Sequence, residues 1–229
     1  MSVAQLDRAL GYGPRCREFE SSHSRFKPLK QKCFKGFFVL CKYYLRGTLF
    51  YRRLYLEYMV SEIMQKYEHL THTFAPVFNT ESKILILGSF PSAKSRENNF
   101  YYGHPQNRFW KVLGQIFEVG APQSIEEKKL FLLEHHIAIW DVIESCTIIG
   151  SSDASIKDVV VNDFSKVLKK SEIKMIYVNG GKAYELYNKY ARKQTGIEAI
   201  KLPSTSPANA AWNLEKLCKA WGIVKEMLD

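Results

Sequence analysis

The chain has 229 residues, of which 46% are hydrophobic and 24% are charged, as is typical of a soluble globular protein. Its formal net charge of +10 suggests a nucleic-acid partner, because a basic surface attracts phosphates. The charge is unevenly placed, however: residues 1–58 carry 12 Lys and Arg against 4 Asp and Glu, whereas residues 59–229 carry 21 against 19. Charge alone therefore does not identify the partner of the larger part of the chain.

The five cysteines show no Cys-x-x-Cys spacing, and no secretory leader with a cleavage site accompanies them. We therefore expect a reduced, cytoplasmic protein. Only Cys146 and Cys218 lie outside residues 1–58, too few for an iron–sulfur cluster held by four thiolates. The apolar run at 36–45 is far shorter than the roughly 20 residues that span a bilayer, so no transmembrane segment is expected.

Residues 1–58 form a basic leader that differs from the rest of the chain. The leader is rich in Phe and Tyr and lacks helical or alternating periodicity. Residues 1–15 resemble the peptide produced when a transfer-RNA gene is translated by mistake, so we expect the biological start at Met59 or Met64. The alternative is a basic arm that holds nucleic acid or an anionic membrane surface, which the charge permits.

Beyond the leader, four apolar runs typical of strands alternate with stretches of helical spacing. Strands are predicted at 84–90, 137–142, 174–179 and 199–202. Helices are predicted at 108–117, 125–135, 163–170, 182–193 and 208–228. Alternation of this kind indicates parallel β-α units with right-handed crossovers. The predicted fold class is α/β, a three-layer α/β/α sandwich around a short, mostly parallel four-stranded sheet.

Chemically distinct segments follow the predicted strands. Gly-Ser-Phe-Pro-Ser occupies 88–92, Asp141 ends the second strand, Asn-Gly-Gly-Lys occupies 179–182, and Leu-Pro-Ser-Thr-Ser-Pro-Ala-Asn occupies 202–209. The carboxyl ends of parallel strands share one edge of a sheet, where ligands bind in open α/β folds. The Ser/Thr hydroxyls next to prolines offer hydrogen bonds to phosphate from a backbone of fixed shape. The alternative is that serines and prolines are simply common loop residues.

The loop at 101–110 combines aromatic rings with a His-Pro turn around Asn107. Loops this rich in aromatics usually bind a ligand. A structural alternative for Asn107 is the cap of the helix that begins at Arg108. Likewise, His104 is either a phosphate donor or a turn residue, and Asn209 is either a loop residue or the cap of the last helix.

Three of these segments, at 88–92, 104–110 and 202–209, resemble motifs of the uracil-DNA glycosylase superfamily. Within it they are most similar to the hypoxanthine-DNA glycosylases, also called DNA-deoxyinosine glycosylases. The second segment also resembles the mismatch-specific uracil glycosylases. The resemblance covers about residues 69–229 and excludes the leader, so residues 59–229 are expected to be a DNA glycosylase domain.

The resemblance implies hydrolysis of the N-glycosidic bond of deaminated bases in DNA, which leaves an abasic site. Hypoxanthine is the implied main substrate and uracil a lesser one. Such an enzyme extrudes the nucleotide and stabilises an oxocarbenium sugar and a departing base anion, without a metal or organic cofactor. The implied partner is double- or single-stranded DNA with deaminated bases; a monomer suffices, and no membrane is involved.

Most members of the superfamily carry Asp or Asn at the third position of the first motif, where it positions water, but this chain has Phe90. The resemblance to the hypoxanthine branch moves that role to Asn107. An amide does not titrate usefully, so Asn107 is expected to orient water rather than to act as a strong base.

The resemblance also implies the rest of the site. A base pocket is expected from Gly88, Ser89, Phe90, Tyr101, Tyr102, His104 and Asp141. Contacts to the DNA backbone are expected from Pro91, Ser92, Ser204, Thr205, Ser206 and Asn209. Asp141 suits hypoxanthine because a carboxylate accepts the N1–H of that base, although an Asp at a strand end is also a common turn residue.

Two other functions remain open from the residues alone. A non-catalytic binder of damaged DNA would keep the phosphate-binding loops and make no abasic sites. A nucleotide-processing hydrolase would use Ser89 or Ser92 as nucleophile, but the chain has no Gly-x-Ser-x-Gly elbow and no assignable His/Asp partner.

Overall fold

The computed structural model describes residues 67–228, and the basic leader lies outside the described residues. Ile63–Asp229 forms one compact unit. Its strands are β1 Glu68–Thr71, β2 Ile84–Gly88, β3 Ile137–Asp141, β4 Ile143–Ile148, β5 Lys157–Val161, β6 Met175–Asn179 and β7 Ala199–Leu202. Its helices are α1 Ala93–Glu97, α2 Phe109–Ile116, α3 Ile125–Glu134, α4 Ser165–Leu168, α5 Gly181–Leu186, α6 Arg192–Thr195, α7 Leu214–Trp221 and α8 Ile223–Glu226. A 3₁₀ turn at Asp153–Ser155 and a π-helical turn at Tyr187–Ala191 complete the described secondary structure.

The central sheet contains four parallel strands in the order β3-β2-β6-β7. Strand β2 is buried along its whole length, as its continuous Ile and Leu run predicts. Helix α3 packs on β3, α5 packs on β6 and β7, and α2 packs against α7. The predicted α/β class and the four parallel strands are confirmed, with strand ends shifted by one or two residues.

A second sheet, in the order β1-β4-β5, was not predicted. Its strands are antiparallel, and β4 follows β3 after a single residue, Val142. In the sequence this stretch reads as the end of one strand, because β4 follows β3 almost directly and one of its two pairing partners, β1, lies far away in the chain. Leu70, for example, pairs with Cys146.

Three predicted helices differ from the observed ones. The helix expected at 163–170 is shorter, because α4 spans only Ser165–Leu168. The helix expected at 182–193 is divided into α5, the π-helical turn and α6. The helix expected at 208–228 begins only at Leu214, because Asn213 is its cap and accepts a hydrogen bond from Lys216 N at 2.9 Å. Asn209 is therefore not the cap of the last helix. By contrast, α3 begins as expected, with a capping box between Ser124 and Glu127.

The register of the central sheet determines where the loops meet. Gly88 pairs with Asp141, Leu87 with Val178, and Asn179 with Leu202. The carboxyl ends of all four strands therefore lie at one edge. None of the helices among residues 67–228 is long and apolar enough to cross a membrane.

Candidate active site

A cavity of about 150 Å³ opens at the carboxyl edge of the central sheet. It brings together twelve of the predicted site residues: Gly88, Ser89, Phe90, Pro91, Ser92, Tyr101, Tyr102, Asn107, Asp141, Ser204, Thr205 and Ser206. Six further residues complete its lining, namely Phe74, Ser95, Ile148, Ser151, Asp153 and Asn179. Segments that are more than 100 residues apart in the sequence, 88–92 and 204–206, thus form one pocket.

Asn107 lines the pocket and lies two residues before the start of helix α2 at Phe109. Its Oδ1 accepts hydrogen bonds from Phe109 N at 3.0 Å and from the Thr205 hydroxyl at 2.9 Å. The first contact resembles a helix cap, since it satisfies the first amide of α2. The cap-like contact and a position in the pocket therefore coexist in Asn107.

Thr205 is fully buried, and its hydroxyl lies between two side-chain amides. It accepts from Asn179 Nδ2 at 2.9 Å, while Asn179 Oδ1 accepts from Thr205 N at 3.0 Å. Its side chain has no exposed atom for the phosphate contact that we expected. Thr205 instead connects β6 to Asn107, a role that no local sequence pattern indicates.

Asp141 lies at the end of β3, and its carboxylate is oriented by His72. His72 Nε2 lies 2.9 Å from Asp141 Oδ2, and it donates because a carboxylate only accepts. Both side chains are almost completely buried. The Oδ1 atom remains as the second acceptor of Asp141. Asn162 holds the backbone of Asp141, because its Nδ2 donates to the main-chain oxygen of Asp141 at 2.9 Å.

The aromatic residues of the pocket are packed rather than free. Tyr101 is 2% exposed, and its hydroxyl donates to Ala75 O at 3.1 Å. Tyr102 stacks on Phe109 with ring centroids 3.9 Å apart. Phe90 is 8% exposed, and the Arg96 guanidinium lies over its ring. The rings therefore form rigid walls at the cavity.

Burial raises the pKa of Tyr102 well above its ordinary value, and the nearby Asp141 carboxylate adds to the rise, against a smaller opposing effect of Asn179. The hydroxyl atom is itself buried. Tyr102 therefore stays protonated, and at neutral pH it brings no second negative charge next to Asp141.

Loop 149–155, between β4 and β5, contacts the 88–93 loop through two side chains. The Ser89 hydroxyl donates to Asp153 Oδ1 at 3.0 Å, and Ser151 Oγ accepts from Ala93 N at 2.8 Å. Desolvation raises the pKa of the Asp153 carboxyl above its ordinary value, although the Ser89 hydrogen bond acts in the opposite direction. Asp153 is thus a second pocket carboxylate, which the sequence did not reveal.

Arg108 holds the 204–212 segment in place from the start of α2. Its guanidinium donates to the main-chain oxygens of Thr205, Ser206, Asn209 and Trp212. Four carbonyls around one planar cation leave little freedom to this segment. Arg108 stood inside the recognised motif, but only the fold shows which loop it binds.

Three predicted site residues take other positions or structural contacts. His104 Nδ1 accepts from Gln106 N at 3.2 Å, and its side chain lines a neighbouring cavity with Lys111 and Lys128. Asn209 lies outside the pocket lining, and its amide donates to Ser204 O at 2.9 Å. Ser92 lines the pocket and also caps α1, because its hydroxyl accepts from Ser95 N.

His72 is the most important site residue that the sequence did not indicate, because its side chain orients the Asp141 carboxylate. It was missed because it lies 69 residues before Asp141. Among residues 67–228, no group of three or more His, Cys, Asp or Glu side chains is placed to hold a metal ion.

Comparison with known proteins identifies the family. The family model of the uracil DNA glycosylase superfamily matches residues 75–225. The chain belongs to this superfamily. The matched range includes the three motif segments and Asn179, and it ends within α8.

Two relatives carry the name hypoxanthine DNA glycosylase. The protein from Methanosarcina acetivorans is 39% identical over 138 residues, which are 59% of this chain and 86% of the relative. The protein from Methanosarcina barkeri is 37% identical over 139 residues, with the same coverage. A solution NMR structure of a candidate uracil DNA glycosylase from M. acetivorans is also similar, with a TM-score of 0.59 and 32% identity; the match covers 68% of this chain and 97% of that one.

Proposed function

We propose that this protein is a DNA glycosylase that removes hypoxanthine from DNA by hydrolysis of the N-glycosidic bond of deoxyinosine. The observation that carries the proposal is the pocket at the carboxyl edge of the sheet, which joins the three motif segments around Asn107 and Asp141. Membership of the superfamily and the two relatives named hypoxanthine DNA glycosylase support it.

Asp141 suits a deaminated base for a simple chemical reason. With His72 on Oδ2, Oδ1 remains to accept a hydrogen bond. Hypoxanthine and uracil present a ring N–H, whereas adenine and cytosine have an unprotonated ring nitrogen at the corresponding position. A carboxylate is attracted to the first pair and repelled by the lone pair of the second. Asp141 is therefore the proposed residue that distinguishes hypoxanthine and uracil from their parent bases, adenine and cytosine.

The loops around the pocket suit an extruded nucleotide. Ser204 and Ser206 lie at the pocket beside rigid prolines, and Arg108 fixes their backbone from behind. Pro91 and Ser92, from the first motif segment, also line the pocket. We propose that these neutral groups bind the phosphates next to the target nucleotide, while the aromatic walls enclose the base.

In the reaction, the bond between C1′ of the sugar and the base nitrogen breaks, and its electrons leave with the base. A water oxygen then bonds to C1′ and gives up a proton, and the base anion takes up a proton, which gives an abasic site and free hypoxanthine. Asn107 is the proposed catalytic residue, because its side chain reaches the pocket among the residues that would surround the reacting atoms.

A duplex with a single deoxyinosine tests the proposal. We expect alkali-labile breaks at the modified position with the wild-type protein, and a weaker reaction on deoxyuridine. Asn107→Ala should abolish breaks and leave DNA binding largely intact, whereas Asn188→Ala, the same change outside the pocket lining, should behave as wild type. Absence of breaks on inosine, uracil and xanthine substrates, with binding retained, would favour the non-catalytic binder instead.

A further inference from the structure

The orientation of the Asn107 amide is fixed by main-chain hydrogen bonds. A main-chain N–H only donates, so the Asn107 atom 3.0 Å from Phe109 N is the oxygen. By the same reasoning, the Asn179 atom 3.0 Å from Thr205 N is also an oxygen. Asn179 Nδ2 therefore faces the Thr205 hydroxyl, at 2.9 Å.

The Thr205 hydroxyl links the Asn179 amide to the Asn107 amide and has a fixed direction of donation. It accepts from Asn179 Nδ2, so its own hydrogen is directed to Asn107 Oδ1 at 2.9 Å. Thr205 is fully buried, which prevents water from replacing either bond. Two main-chain amides thus determine the direction of every hydrogen bond in the chain Asn179–Thr205–Asn107.

This network leaves Asn107 with only donors to offer. Its Oδ1 already accepts two hydrogen bonds, which uses both lone pairs of a carbonyl oxygen. Its Nδ2 has no hydrogen-bond partner among residues 67–228 and is not a buried unsatisfied atom, so it remains accessible where Asn107 lines both the pocket and the neighbouring cavity of His104. The carbonyl oxygen is unavailable to receive a proton or a hydrogen bond from water.

We propose that Asn107 acts as a hydrogen-bond donor to the negative charge that develops on the departing base, and that Thr205 and Asn179 are positioning residues that turn its NH₂ group toward that base. This inference rests on the proposed function. It differs from the expectation that Asn107 orients water, because it assigns the amide NH₂ group to the departing base. Donors aimed at developing charge lower the barrier of a heterolytic step, because they need not reorient during the reaction.

Asn107→Asp tests the direction of this hydrogen bond. The new carboxyl keeps one oxygen against Phe109 N and Thr205 Oγ1, and a second oxygen replaces the NH₂ group. Only its protonated form can donate to the base. Relative to wild type, the single-turnover rate of Asn107→Asp should therefore be highest at low pH and fall as pH rises through the pKa of the new carboxyl.

The measurement covers about pH 4 to about pH 8, which extends upward from the ordinary carboxyl pKa of about 4. Asn107→Ala supplies the baseline at each pH. A relative rate that rises with pH shows that an ionised acceptor is required, and it would overturn the proposal. A flat relative rate above the Ala baseline would overturn it as well.

Thr205→Val and Thr205→Ser test the positioning role. Valine keeps the shape and removes the hydroxyl, so we expect the single-turnover rate to fall on the order of tenfold with little change in the affinity for substrate DNA. Serine keeps the hydroxyl and should restore most of the rate. If Asn107→Asp is inactive at every pH, the two Thr205 variants provide the test. A Thr205→Val variant as fast as wild type would show that the Thr205 hydroxyl does not position Asn107.

The outcomes also separate this inference from the function on which it rests. A wild-type protein without activity on any deaminated base removes the proposed function, and the inference falls with it. An active wild type with a fully active Thr205→Val, or with Asn107→Asp favoured by high pH, leaves the function in place and removes only the donor role.

Discussion

Gly88 lies at the most crowded point of the pocket. A Cβ atom on this residue would lie 2.2 Å from Asp141 Oδ1 and 3.3 Å from the Tyr102 hydroxyl. The first distance is far below van der Waals contact. His72 donates to the other oxygen of Asp141 at 2.9 Å, so a displacement of the carboxylate would distort that hydrogen bond. The absence of a side chain at Gly88 is therefore a requirement for the position of Asp141.

Replacing Gly88 by alanine should displace the Asp141 carboxylate and break its hydrogen bond with His72. We expect a single-turnover rate on deoxyinosine lower on the order of 100-fold, since a misplacement of about 1 Å costs that much. Overpacking should also lower the free energy of unfolding by about 1–3 kcal/mol, measured by urea denaturation.

Gly181→Ala is the matched control for this change, because a Cβ at Gly181 would meet nothing within 4 Å and the residue begins α5. It should keep full activity and stability. A Gly88→Ala variant with the turnover of wild type would show that Asp141 does not need its present position.

Arg108 acts at the scale of whole elements, since it joins the start of α2 to the segment between β7 and α7. Its main-chain N–H donates to Thr205 O at 3.1 Å, in addition to the four side-chain contacts. Trp221 supports the same segment from α7, where its Nε1 donates to Pro203 O at 3.0 Å. The segment that carries Ser204 and Ser206 is thus rigid without any secondary structure of its own.

Arg108→Lys should loosen this segment although the charge is kept. An ammonium group cannot reproduce the planar fork that contacts four separate carbonyls, so several of them lose their partner. We expect faster amide hydrogen exchange at 206–212, weaker binding of substrate DNA, and a free energy of unfolding lower by about 1–3 kcal/mol.

Arg192→Lys is the control for Arg108→Lys, because Arg192 pairs with Glu198 at the surface. Such a pair contributes little to stability, and the control should match wild type. Unchanged exchange at 206–212 in Arg108→Lys would mean that the segment is held by its other contacts.

The elements that could be predicted from sequence are those whose signal is local. Strand β2 is a continuous apolar run, and the stretch that forms α3 has helical spacing, so both were found. The antiparallel sheet was missed because β1 and β5 contain charged residues rather than continuous apolar runs, and because β4 follows β3 almost directly. The π-helical turn at Tyr187–Ala191 was missed because nothing in the side-chain spacing distinguishes it from an α-helix.

The candidate site divides in the same way. Asn107 was marked by the motif resemblance and Asp141 by its place at the end of a predicted strand; both line the pocket, and their roles stay predictions. Their supporting partners were not recognised, because Thr205 lies 98 residues from Asn107 and His72 lies 69 residues from Asp141. Thr205 was expected to contact DNA, but its side chain is fully buried and donates to Asn107 instead. The motif gives no sign of this burial, which depends on how distant segments pack.

At the scale of the whole molecule, most of the net positive charge and the candidate active site lie in different parts of the chain. The pocket lies in the part with 21 basic and 19 acidic residues, whereas the basic leader carries 12 against 4. Hydroxyls, aromatic rings and the two carboxylates of Asp141 and Asp153, rather than lysines, line the pocket. Recognition of the damaged base should therefore depend little on salt, whereas non-specific attraction to DNA should depend on it strongly through any contribution of the leader.

Comparing the full chain with residues 59–229 tests this separation. The shorter protein should remove hypoxanthine from a deoxyinosine duplex with an unchanged single-turnover rate, because all described pocket residues are present in it. Its affinity for an unmodified duplex should be lower and should fall less steeply as salt is raised, because fewer cations release counterions from the phosphates. Binding titrations of both proteins at several salt concentrations measure the two slopes. Equal slopes would show that the leader makes no contact with DNA, and a lost single-turnover rate at saturating protein would place the leader within the enzyme itself.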